Sequence, residues 1–115
     1  YFTIHEMEKI NIEILKVINS NGGRIDKIYY DTSTRENPSE SRKPNIGMVL
    51  KARKEFNISL KKSWVVGDKD SDIELGKRCN MKTIYIQNNQ YEYKSLFKPD
   101  YTVADLNEAY QIIKI

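Results

Sequence analysis

Apolar and polar residues recur along the chain with two alternating periods. Apolar positions at helical spacing occupy residues 10–18, 48–56, 73–79 and 105–113. Each stretch predicts an amphipathic helix with one buried face. Gly22-Gly23 and Asn57 follow the first two stretches, and Pro44 suits the first position of the second helix, because these residue types are common at helix ends and starts.

Short runs of β-branched and aromatic residues lie between the predicted helices. They occupy residues 25–30, 64–67, 83–86 and 101–103, and they predict strands. Strands that alternate with helices imply right-handed crossovers and a mostly parallel sheet covered on both faces. The predicted fold class is therefore α/β, with a single domain over residues 1–115.

Composition excludes several classes of function. The chain has 39% hydrophobic and 30% charged residues, and no apolar run approaches the ~20 residues that span a membrane. Its 19 basic and 16 acidic residues are dispersed, so no nucleic-acid partner is expected. The single cysteine, Cys79, excludes an internal disulfide and favours the cytoplasm. We expect a monomer or a weak homo-oligomer.

The densest group of chemically active side chains is Gly67-Asp68-Lys69-Asp70-Ser71-Asp72, hereafter the acidic turn (residues 67–72). It follows a predicted buried strand, and α/β proteins bind ligands where the carboxyl ends of parallel strands share one edge. Asp68 offers the hard oxygen ligand that Mg²⁺ prefers. The sequence therefore predicts a magnesium site at Asp68.

A cationic pair, Arg42 and Lys43, lies one predicted helix upstream of the acidic turn. A phosphoryl group in transfer needs cations around its oxygens. Lys43 would supply a compact ammonium group, and Arg42 a planar fork that binds phosphate with two hydrogen bonds. Lys69 would approach the substrate, and Asp72 would orient Lys43 or a metal-bound water.

Three segments together resemble the C-terminal half of a haloacid dehalogenase (HAD) superfamily phosphatase. They are Arg42-Lys43-Pro44 with the following helix, residues 64–76 and residues 81–86, which look like the lysine motif and the metal-binding acidic motif of that family. Residues 23–30, together with the Arg-Lys-Pro and Gly-Asp-Lys sequences, are similar to the D-glycero-D-manno-heptose 1,7-bisphosphate phosphatase and histidinol-phosphatase group.

The resemblance implies a three-layer, Rossmann-like HAD fold and a Mg²⁺-dependent phosphatase. Its substrate would be a small phosphorylated metabolite, with a sugar bisphosphate such as heptose 1,7-bisphosphate as the first candidate. Lys43 and Asp68 would be catalytic, Arg42, Lys43 and Lys69 would bind phosphate or substrate, Asp68 would bind the metal, and Asp72 would have a supporting role.

Two features depart from the family pattern. HAD phosphatases carry an aspartate nucleophile in an N-terminal Asp-x-Asp motif, which does not precede Tyr1. Asp68-Lys69-Asp70 has that spacing, but Gly67 precedes it and no Gly-Thr follows. We therefore expect the nucleophile outside this chain, a domain incomplete at its N-terminus, and no activity from these 115 residues alone. Residues 31–41 contain neither cysteine nor histidine, so the structural zinc of some relatives is not expected.

Two other interpretations remain at this stage. One is a catalytically silent α/β binding or regulatory module, resembling a receiver or flavodoxin-like domain, whose acidic turn binds Mg²⁺ or nothing. The other is an interaction protein that uses the tyrosine-rich segment 87–97, since loops carry partner contacts without a sequence signature.

Overall fold

The computed structural model describes residues 4–28 and 45–114. Within these ranges the elements follow in the order α1 (Ile4–Ser20), α2 (Gly47–Phe56), a 3₁₀ turn (Leu60–Lys62), β1 (Trp64–Gly67), α3 (Asp70–Arg78), β2 (Lys82–Ile86), β3 (Tyr101–Val103) and α4 (Leu106–Ile113). None of the helices in these two ranges has the length and apolar character needed to cross a membrane.

The three strands form one parallel sheet in the order β1-β2-β3. Val65 of β1 lies opposite Thr83 of β2, and Ile84 of β2 lies opposite Tyr101 of β3. Because the strands are parallel, all three carboxyl ends lie at the same edge of the sheet. The predicted parallel α/β sheet is confirmed.

Helices pack on both faces of the sheet, and β2 shows why. Side chains alternate between the two faces of a strand, so Thr83 and Ile84 face opposite helices. Thr83 faces α3, where a Cβ atom on Gly76 would lie only 2.5 Å from Thr83 Cγ2. Ile84 packs with Ala109 of α4 on the other face. The described chain therefore has the three layers that the sequence predicted.

The core lies where α3 and α4 meet β2. Ile73, Thr83 and Ile84 have side chains with no solvent exposure. Cys79 is also buried, as its place on the apolar side of the helix predicted, and burial raises the pKa of its thiol. A thiol held protonated in the core is a packing residue rather than a nucleophile.

The strand predicted for residues 25–30 is not found in its described part, residues 25–28. A run of β-branched residues indicates a propensity, whereas a strand needs a paired neighbour. The pairs in the described sheet join β1 to β2 and β2 to β3. Residues 25–28 are instead attached to α2 through Lys27, whose ammonium lies 2.9 Å from both carboxylate oxygens of Glu55.

Helix α2 begins three residues later than predicted. Pro44 lies outside the described residues, and the first helical bond runs from the Leu50 N–H to the Ile46 carbonyl at 3.0 Å. The predicted end is confirmed. Asn57 follows the helix with a left-handed backbone (φ 53°), a conformation that asparagine adopts more readily than most residues.

Candidate active site

The acidic turn joins the carboxyl end of β1 to the first turn of α3. Gly67 ends the strand, and a Cβ atom there would lie 2.3 Å from Asp72 Oδ2. The buried Asp72 carboxylate fills this space and accepts a hydrogen bond from the Lys69 N–H at 3.3 Å. The absence of a side chain at position 67 therefore lets a buried carboxylate fold back over the turn and hold its backbone.

Asp68 lies at the exposed edge of the sheet. Its Oδ2 atom accepts a hydrogen bond from the Asn88 side-chain amide at 3.3 Å. In the ranges that the structure describes, no three His, Cys, Asp or Glu side chains converge as a metal cage. Mg²⁺ is commonly held by one or two carboxylates, with waters and substrate phosphates as its other ligands. An exposed carboxylate at the strand end fits that pattern.

Lys69 is exposed beside Asp68. Its ammonium group lies 5.6 Å from the centroid of the Tyr91 ring, within the range of a cation–π interaction. The predicted phosphate-binding pair, Arg42 and Lys43, lies outside the described residues. The convergence of Lys43 with Asp68 and Asp72 remains a prediction.

Asp70 is the first residue of α3 and not its cap. The helix is capped at Lys69, and the Asp70 side chain turns to the segment between β2 and β3. Its Oδ1 accepts from the Tyr91 hydroxyl at 2.7 Å, and its Oδ2 accepts from the N–H groups of Lys94 and Ser95, each at 3.0 Å. A cap can be predicted from neighbouring residues, but these partners are 21 to 25 positions away.

The pKa of Asp70 reflects these contacts. Burial acts to raise it, but the bonds from Tyr91 and from the backbone of Lys94, Ser95 and Ser71 outweigh burial and hold the pKa below its ordinary value. An ionised carboxylate that accepts four hydrogen bonds is poorly suited to exchange protons with a substrate. The four hydrogen bonds to Asp70 are therefore evidence against Asp68-Lys69-Asp70 as an Asp-x-Asp motif with a nucleophile at Asp68 and an acid at Asp70.

Tyr93, from the same segment, packs against β2. Its ring meets Tyr85 of β2 edge-on at 4.9 Å between centroids, and its hydroxyl donates to the Phe97 carbonyl. Burial raises the pKa of Tyr93, and the nearby charge of Asp70 raises it further. Sequence reasoning assigned no role to Asn88 or Tyr91. Their position directly after a parallel strand was the available signal.

Comparison with known proteins decides the family. The HAD-hydrolase-like family model matches residues 40–109, which include the acidic turn and all three strands. The chain belongs to the HAD-hydrolase-like family. The resemblance inferred from the motifs is confirmed, and the HAD assignment is favoured over a receiver-like or flavodoxin-like module.

The curated relatives of this HAD chain include heptose-bisphosphate phosphatases and a histidine biosynthesis protein. It is 31% identical over 98 residues to the D-glycero-alpha-D-manno-heptose-1,7-bisphosphate 7-phosphatase of Campylobacter jejuni, covering 85% of this chain and 56% of that protein. It is 35% identical over 74 residues to the histidine biosynthesis bifunctional protein HisB of Bacteroides fragilis, covering 64% of this chain and 20% of that protein. The chain thus spans about half the length of the 7-phosphatase.

A solved structure has the same HAD fold. The crystal structure of a protein from Mesorhizobium loti, described as HAD-like phosphatase, aligns with a TM-score of 0.71 at 22% sequence identity, covering 99% of this chain and 57% of that one. At this identity the match establishes the fold. It confirms the predicted α/β HAD-like architecture.

Proposed function

We propose that this chain is part of a Mg²⁺-dependent HAD-type phosphatase that hydrolyses a phosphomonoester of a small metabolite. A sugar bisphosphate, with heptose 1,7-bisphosphate as the first candidate, is the proposed substrate. The observation that carries the proposal is the exposed Asp68 carboxylate at the end of a parallel strand, in a HAD chain similar to named heptose-bisphosphate 7-phosphatases.

The role proposed for each residue follows from the charge of its side chain. Asp68 would hold Mg²⁺, which when bound neutralises charge on the phosphoryl oxygens. Lys43 and Arg42 would bind the phosphate, and Lys69 would contact the substrate. Asp72, buried and bonded to the Lys69 backbone, would keep the turn in place and orient Lys43 or a metal-bound water.

The nucleophile of the proposed reaction is an aspartate that attacks phosphorus, releases the alcohol and is freed when water hydrolyses the aspartyl phosphate. The family's Asp-x-Asp motif has no counterpart at the matching place in these 115 residues. We therefore propose that chain outside them supplies the nucleophile, and that the 115 residues alone lack phosphatase activity.

The remaining proposals concern surroundings and partners. We propose a cytoplasmic protein, monomeric or weakly self-associating, without nucleic-acid or membrane partners. No structural zinc is proposed for residues 31–41, which contain neither cysteine nor histidine. The dispersed charges support the lack of a nucleic-acid partner, and the single cysteine supports the cytoplasmic location.

The test is phosphate release by the intact protein that carries this chain. Sugar phosphates, heptose 1,7-bisphosphate among them, are supplied with Mg²⁺ or with a chelator. We expect Mg²⁺-dependent turnover, and we expect Asp68→Asn and Lys43→Ala each to lower kcat about 10²- to 10³-fold, the usual loss when a group that stabilises transition-state charge is removed.

Matched controls separate the site from general effects of charge. Asp26→Asn makes the same change in the exposed 23–28 segment, and Lys61→Ala removes an exposed lysine from the 3₁₀ turn. Both should retain parent turnover. Parent turnover in folded Asp68→Asn or Lys43→Ala would overturn the site assignment, and a lack of turnover with every phosphomonoester would overturn the function.

A further inference from the structure

The segment that joins β2 to β3 (residues 87–100, hereafter the β2–β3 loop) lies against the acidic turn. It contacts three consecutive residues of the turn. Asn88 bonds to Asp68, and the Tyr91 ring lies near Lys69. Asp70 accepts bonds from Tyr91, Lys94 and Ser95. A loop that contacts each of these residues has the geometry of a support for the site.

Asp70 attaches the loop to α3. An ionised carboxylate has about four lone-pair positions, and the bonds from Tyr91, Lys94, Ser95 and Ser71 fill them. Binding a cation at Asp70 would mean giving up these bonds. The role of Asp70 is therefore to fix the loop.

Asn88 is oriented by its own turn. Its Oδ1 accepts from the Gln90 N–H at 3.0 Å, which leaves the amide nitrogen to donate. The Nδ2 group lies 3.3 Å from Asp68 Oδ2. The loop backbone thus determines which end of the Asn88 amide meets the carboxylate, and the bond restricts rotation of Asp68.

We propose that Asn88 is a positioning residue for Asp68 and that Asp70 acts in the same way from farther off, by holding the loop that carries Asn88. The inference rests on the proposed function, because it takes Asp68 as the cation ligand. Groups that hydrogen-bond to a metal ligand commonly change metal affinity 10- to 100-fold when removed. Because the Asn88 bond is long and lies near the surface, we expect the lower end, about 10-fold.

The experiment measures cation binding directly. Mn²⁺ is titrated into the intact protein in place of Mg²⁺, and free Mn²⁺ is followed by electron paramagnetic resonance. Asn88→Ala removes the donor, and Asn88→Leu removes it while keeping the side-chain volume. Both should raise the Kd for Mn²⁺ about 10-fold. Asn89→Ala, at the exposed neighbouring position, should leave the Kd unchanged.

Asp70→Asn tests whether Asp70 acts on Asp68 indirectly, by holding the loop that carries Asn88. It should raise the Kd for Mn²⁺ several-fold and speed amide hydrogen exchange at Lys94 and Ser95, the two backbone groups that bond to Asp70. Asn88→Ala should leave exchange at these two amides unchanged. Faster exchange in Asp70→Asn with a parent Kd would refute the indirect role.

Asp68→Asn separates the two hypotheses. If it abolishes Mn²⁺ binding while both Asn88 variants bind as the parent does, the positioning role is wrong and the metal assignment stands. If Asp68→Asn binds like the parent, the metal assignment and this inference fail together. Urea unfolding accompanies each titration, and a higher Kd with parent stability in either Asn88 variant supports the proposal.

Discussion

Asp70 and Asp100 anchor the β2–β3 loop in its middle and at its last residue, at opposite ends of the strands. Asp70 bonds to loop groups beside the acidic turn, at the carboxyl ends of the strands. Asp100 lies at the other end, where its Oδ2 accepts from the Thr83 N–H at 2.8 Å and the Thr83 hydroxyl at 3.1 Å. Its Oδ1 accepts from Lys77 at 2.7 Å.

The same chemistry serves different purposes at these two places. In both carboxylates hydrogen bonds outweigh burial and lower the pKa. Asp100, however, accepts two hydrogen bonds from Thr83, which has no solvent exposure, so the loss of Asp100 leaves two buried donors without their partner. The partners of Asp70 lie in a surface segment and water can replace it. From this difference we expect Asp100 to contribute more to the stability of the fold, and Asp70 to act mainly on the proposed site.

The largest expected effect comes from Asp100→Ala. It should lower the free energy of unfolding by about 2–3 kcal/mol, because it leaves buried Thr83 donors unpaired. Asp70→Ala should cost only about 1 kcal/mol, as water takes its place. Urea denaturation measures both. Equal losses, or a larger loss for Asp70→Ala, would contradict the comparison.

The pH dependence of stability offers a second test. The folded-state pKa of Asp100 lies below its ordinary value, so its contribution is fully present above about pH 4, the unfolded pKa. It is lost as the pH falls through the folded pKa. Melting temperatures between about pH 2 and 6 should therefore fall less steeply in Asp100→Asn than in the parent. Parallel curves would show that Asp100 contributes no linked stability.

The smallest expected effect comes from Lys77→Met, which separates the contribution of the Lys77 ion pair from that of the Thr83 hydrogen bonds to Asp100. Lys77 and Asp100 form a partly exposed ion pair, with side chains 29% and 39% exposed. Lys77→Met should cost less than about 1 kcal/mol, and the loss should shrink in high salt. Urea unfolding of Lys77→Met and of Asp100→Ala, each in low and in high salt, measures the contribution of the ion pair and that of the Thr83 hydrogen bonds. A Lys77→Met loss as large as that of Asp100→Ala would locate the effect in the ion pair.

Sequence reasoning recovered the features that depend on nearby residues. The runs at 64–67 and 101–103 became strands, and the alternation of elements predicted the parallel sheet. It failed where structure depends on distant partners. Residues 25–28 have the composition of a strand without pairing as one, and the Asp70 side chain is bonded to groups more than 20 positions away.

The candidate site also contains residues that a local motif predicts and residues that depend on distant contacts. Asp68 and Asp72 could be found because one local motif contains both residues and the strand before them. Asn88 belongs to no motif, and its place just after β2 is a weak signal, because its contact with Asp68 exists only once β1 and β2 are paired. Arg42 and Lys43 lie outside the described residues, and their place in the site is still a prediction from sequence.

Gly67 has a consequence for how this turn can change over evolution. The Asp72 carboxylate occupies the volume that a side chain at position 67 would need. The Asp72 Cβ atom would itself lie 2.4 Å from a Cβ at position 67, so no rotamer of Asp72 relieves the contact. A larger residue at 67 therefore requires glycine at 72 or a shift of the backbone. Position 67 is thus closed to single substitutions by sterics, whereas position 72 can lose side-chain atoms without a steric penalty.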